Sequence, residues 1–131
     1  QGMCGRHHYL ARLDFASGLA GISLCDAKAR SLPHTVDMVE RHPEGSQAFM
    51  PVDGVPMLII VAEDEAGQPV NLKAFVSQPG QSVNLPRGTW HGVLAPLGSP
   101  GRFVVVDRIG DGDNLEEFWF PEPYVVDAAE G

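Results

Sequence analysis

Turn signals divide this chain at short, regular intervals. Gly, Pro, Asp and Asn gather at HPEGS, DGVP, DEAGQP, QPGQ, PRGT, GSPG and GDGDN, and the stretches between these breaks are too short for stable helices. Those stretches are rich in β-branched and aromatic residues. The pattern predicts strands over 18–27, 34–42, 47–52, 56–63, 72–77, 81–85, 91–97 and 102–109. Strands at this spacing, with no helical stretches between them, predict an all-β antiparallel sandwich or barrel. Only LEEFWF (115–120) is expected to form a helical turn, and the tail VVDAAEG (125–131) is expected to fray.

Size and charge narrow the function. At 131 residues with 44% hydrophobic content the chain fits one domain, 1–131, able to bury a core. The formal net charge is -8 and no Lys/Arg-rich run interrupts the sequence, which argues against nucleic acid as a partner. No apolar run reaches the ~20 residues of a membrane helix, and QGMCGRHHYLARL lacks the apolar core of a signal peptide. The sequence reads as soluble and cytoplasmic, without a membrane partner. Cys4 and Cys25 are too few for a disulfide framework or a thiolate metal site.

Parity then places the polar residues. Glu40 and His42 stand two apart on a predicted strand and share a face, while Arg41 points the other way. The turn PEGS follows, and Gln47 opens the returning strand beside them. His91, set just past the turn PRGTW, can supply a fourth ligand from a distant strand. Nitrogen and oxygen donors without thiolate suit nickel, manganese, iron or zinc. Lys73 alternates with Phe75 on an otherwise apolar strand, facing either solvent or a barrel mouth. Asp107 ends the run FVVV, and it either pairs with Arg108 or a backbone amide or lines a pocket. Trp90 reads as core or pocket wall. GDGDN (110–114) lacks the ligand order of a calcium loop and reads as a turn.

These motifs carry a resemblance. Gly80 to His91 reads G-x5-P-x-G-x2-H, similar to the second cupin motif, with Ala95 where asparagine is usual; the first cupin motif is present only in altered form, as Glu40-x-His42-x4-Gln47. MVERHPEGSQAFMP, LKAFV, GQSVNLPRGTWHGVL and FVVVDRIGDGDNLEE, in that order, resemble the ureidoglycolate lyase family, also called ureidoglycolate hydrolase, from about Arg6 to Glu117. Family members begin with a further segment before the position of Arg6, so the family's N-terminal segment is expected to be missing. RHHYLARL stands where the family has Arg-aromatic-His-Asp-Leu, and His7 and His8 are left outside the site.

The resemblance implies a cupin-like double-stranded β-helix, or jelly-roll barrel, and a homodimer. It implies a divalent metal, nickel first, on Glu40, His42, Gln47 and His91. It also implies (S)-ureidoglycolate as substrate, cleaved to glyoxylate and urea in allantoin degradation. Lys73, Asn84 and Trp90 are the candidate substrate contacts, and Lys73 and Asp107 the candidate acid and base. Two alternatives stay open at this point: a non-catalytic cupin module that binds a small carboxylate, and a different metal-dependent cupin enzyme.

Overall fold

In the computed structural model, which describes residues 2–128, ten strands form two antiparallel sheets. They are β1 (Leu19–Ala27), β2 (His34–Arg41), β3 (Gln47–Pro51), β4 (Met57–Glu65), β5 (Gln68–Val76), β6 (Val83–Leu85), β7 (Trp90–His91), β8 (Ala95–Pro96), β9 (Gly101–Ile109) and β10 (Glu116–Val126). One sheet runs β1-β9-β3-β6. The other runs β10-β2-β7-β4-β5, with β8 paired to β4. The second sheet curls until β10 touches β5, giving the curled half-barrel of an all-β jelly roll.

Alternation along the strands gives the second sheet a buried layer on each face. Met57 and Ile59 of β4 pack against Phe49, Phe103 and Val105 of the first sheet, closing the space between the sheets. Leu58, Ile60 and Ala62, one residue out of phase, pack with Val39 and Trp90 inside the curl. A side chain's parity on β4 or its partners therefore decides whether it meets the other sheet or the curl.

Two expectations change. Residues 115–120 are not helical: Glu116–Val126 is a strand paired with β2. Phe118 and Phe120, two apart, both pack on the core inside the curl, so a period of two overrides the helix preference of the Glu pair. The single strand expected over 91–97 is two short ones, β7 and β8. They separate at Gly92, whose amide donates to the Ile60 carbonyl at 3.0 Å and where an added Cβ would lie 3.1 Å from the Ile60 Cβ. Of the tail expected to fray, Val125 and Val126 pair with Thr35 and His34, and residues 129–131 lie outside the described residues. No helix among the described residues is long and apolar enough to cross a membrane.

Candidate metal centre and substrate cleft

A cross-strand row builds the site. Glu40 of β2 is paired with His91 of β7, His91 with Val61 of β4, and Val61 with Lys73 of β5. Directly paired residues share a face, and Val61 has the parity of Ile59, so the row faces the other sheet. Arg41 points the opposite way, as parity requires. It donates to Asp64 and Glu116 at 2.9 and 2.6 Å and lies 4.4 Å from the centre of the Trp90 ring.

His42 follows the end of β2 and completes a triad. Glu40 Oε1 lies 3.6 Å from His91 Nε2 and 3.9 Å from His42 Nε2, and the two imidazole rings are 5.1 Å apart. Each ring is held through its other nitrogen. His42 Nδ1 donates to the Asn114 carbonyl and His91 Nδ1 to the Thr89 carbonyl, both at 2.9 Å. This leaves both Nε2 atoms buried, without a hydrogen-bond partner among the described residues, and beside one carboxylate. When protonated, the neighbouring imidazoles, His91 first, hold the Glu40 carboxyl below its usual range against the opposing effect of its partial burial.

Such a donor set fits a divalent metal. Three donors each ~2.0–2.2 Å from an ion stand ~3 Å apart at right angles and ~4 Å apart in line, and the 3.6 and 3.9 Å spacings fall within that range. A buried imidazole nitrogen with no proton to donate and no donor facing it is costly unless a cation occupies the position.

The opposite sheet adds Gln47 and Asp107. Both have the parity of Phe49 and Val105 and face the space between the sheets; Gln47 Nε2 donates to Asp107 Oδ2 at 3.2 Å, and Gln47 Oε1 is buried without a partner. Asp107 thus takes a side-chain amide as its partner, not Arg108, which binds Ser17 and the Asp111 carbonyl. The tight turn before Gln47 depends on Gly45, where a Cβ would lie 2.8 Å from the Phe15 ring and 3.0 Å from the Arg108 Cβ.

Beside the triad opens a cleft of about 770 Å³, lined by Val61, Lys73, Phe75, Leu85, Arg87 and Thr89 among others. The triad side chains are not part of its lining; they adjoin it through Val61, the partner of His91, and Thr89, whose carbonyl holds His91. Lys73 is exposed in this cleft and makes no side-chain hydrogen bond or ion pair among the described residues. Asn84 also borders the cleft. Its parity on β6, however, is opposite to that of Leu85, its Nδ2 donates to the Arg12 carbonyl at 3.4 Å, and its Oδ1 is buried without a partner. Trp90 is not brought to the site. It lies in the core inside the curl, 2% exposed, and its indole N–H donates to Asp64 at 3.0 Å.

One residue the sequence reading passed over is Asn114, which holds His42 through a main-chain carbonyl. The only local cue was its place in GDGDN, read there as a turn.

Comparison with known proteins gives the family. The family described as ureidoglycolate lyase matches residues 1–127. The ureidoglycolate lyase of Rhodobacter capsulatus is 65% identical over 127 residues, which cover 96% of this chain and 79% of the relative. That of Chelativorans sp. is 50% identical, over 95% of this chain and 77% of the relative, and ureidoglycolate lyase 2 of Rhizobium meliloti is 48% identical, over 98% and 80%. With a family match along nearly its whole length and a relative 65% identical, this chain belongs to the ureidoglycolate lyase family.

Proposed function

We propose that this chain is a carbon–nitrogen lyase that cleaves (S)-ureidoglycolate to glyoxylate and urea. The observation that carries the reading is the pair of buried, unpartnered imidazole nitrogens converging on Glu40 in a member of this family. Glu40, His42 and His91 hold a divalent metal, nickel by first choice, and Gln47 Oε1 is the fourth protein donor. When bound, such an ion acts as a Lewis acid and template for a hydroxy acid.

The substrate's reacting carbon carries a hydroxyl and the ureido nitrogen. Loss of the hydroxyl proton lets the oxygen form a carbonyl as the carbon–nitrogen bond breaks, and return of that proton to the nitrogen releases urea. No water is consumed, so the reaction is an elimination. Asp107, half-buried between the sheets, takes the hydroxyl proton, and Gln47 fixes its orientation. Lys73 pairs with the substrate carboxylate, supported by its uncommitted ammonium in the cleft and its place in the row with His91. Asn84 is a further polar contact at the cleft border.

A homodimer belongs to the same reading, supported by exposed Leu19, Ile22 and Leu24 on the edge strand β1. So does a cytoplasmic setting, supported by two free, exposed cysteines. The deciding experiment incubates nickel-loaded protein with (S)-ureidoglycolate and follows glyoxylate and urea. Equal release of both supports the lyase; ammonia in place of urea, or no turnover with glyoxylate still binding, overturns it.

A further inference from the structure

His42 is the triad member that the sheets hold least. β2 ends at Arg41, so His42 lies outside the strand ladder, its backbone held among the described residues by one bond, from the Gly88 amide to its carbonyl at 3.0 Å. His91, in contrast, is paired on both flanks and bonds a carbonyl two residues away in its own strand connection. The partner of His42 comes from a segment remote in sequence, the GDGDN loop.

That loop is itself anchored at several points. Arg108 Nη2 donates to the Asp111 carbonyl at 2.8 Å while its Nε donates to the Ser17 carbonyl at 2.8 Å. Gly112 adopts φ +85°, the left-handed region open to glycine, and reverses the chain ahead of Asn114. Asn114 then makes two bonds to one turn: its carbonyl accepts from His42 Nδ1 at 2.9 Å and its Oδ1 accepts from the Glu44 amide at 2.7 Å. The side-chain bond positions the main-chain carbonyl, and the carbonyl positions the ring.

We propose that Asn114 is the positioning residue of the metal centre: by docking on Glu44 N–H it places its carbonyl so that His42 carries its proton on Nδ1 and turns Nε2 toward Glu40 and His91. An isolated neutral imidazole favours the proton on Nε2, which would block that atom as a ligand. The carbonyl of Asn114 reverses the preference before any ion arrives. This rests on the metal-centre reading above, but the state of the ring is a property of the metal-free protein.

The test is imidazole ¹⁵N NMR on the metal-free protein at mildly alkaline pH, with cobalt(II) titration in parallel. In the native chain both His42 and His91 are expected as Nδ1–H forms. Asn114→Ala should shift His42 toward a mixture and weaken cobalt binding about 10- to 100-fold, with His91 unchanged. Asn114→Asp keeps an acceptor for Glu44 N–H and should restore both properties. A native His42 protonated on Nε2 overturns the proposal without any variant, and so does an Asn114→Ala protein with native ring state and cobalt affinity. Equal disturbance of His42 and His91 makes Asn114 a general structural residue and also overturns it. If native protein shows the expected ring states but binds no cobalt, the positioning stands and the metal reading falls.

Discussion

Trp90 and His91 are neighbours in sequence and lie on opposite faces of one sheet: the imidazole faces the triad, and the indole is buried in the core inside the curl. Substituting the two should therefore produce separable phenotypes. Trp90→Phe is expected to lower stability by roughly 1–2 kcal/mol through lost volume and a lost indole donor, with KM unchanged. Urea denaturation and steady-state kinetics check this, and a large KM rise would place the indole at the substrate.

His91→Ala removes a donor without removing core volume on the curled face. Metal content is expected to fall below detection and turnover by more than the ~100-fold typical of losing an outer partner, with the fold retained. Elemental analysis after gel filtration is the measurement, and full metal content would show that His91 is not a ligand.

Lys73→Met separates binding from chemistry. If the ammonium neutralises the substrate carboxylate in both ground and transition states, KM should rise about tenfold or more while kcat changes little. A fall in kcat at constant KM would instead make Lys73 the proton donor, and unchanged constants would leave it a solvated charge.

The depressed Glu40 carboxyl gives a pH dependence in the metal-free protein. Because its folded value lies below the unfolded value of about 4.5, its stabilising contribution is complete above that pH. It is lost as pH falls through the lower, folded value. Glu40→Gln should flatten this part of the acid limb, as read by urea midpoints across the acidic range; parallel curves would show that the imidazoles do not stabilise the carboxylate.

Arg41 lies over Trp90 and bonds carboxylates on β4 and β10. Arg41→Ala should cost about 1 kcal/mol, mainly through the ring stacking and stem packing, because both carboxylates are well exposed and screened. Metal affinity should also weaken, since Glu40 and His42 flank this position. Unchanged affinity would mean that the back face does not set the spacing of the ligands.

Much of this architecture is legible in the chain because strand parity and turn residues act locally. Glu40, His42 and Arg41 occupy the faces that alternation assigns, and the strands over 18–27, 34–42, 47–52 and 102–109 match closely. Residues 115–120 misled because two adjacent glutamates favour helix, whereas the pairing of Phe118 with Val39 is a tertiary fact. Gly92 hid the break between β7 and β8 for a similar reason, since the close approach of Ile60 is invisible locally. Trp90 sits next to His91 in sequence, but adjacency along a strand means opposite faces. Asn114 was hidden more deeply, because it acts through a carbonyl that every residue possesses.

The two-residue strand β7 lies in the middle of its sheet, with β2 on one side and β4 on the other. It has almost no local structure of its own, and the partners that hold it come from earlier, distant parts of the chain. Closing those loops is the slow kind of step in folding a β protein. Metal-binding competence should therefore emerge late in refolding, after the long hairpin of β4 and β5, and no proteolytic fragment lacking either flanking strand should regain it.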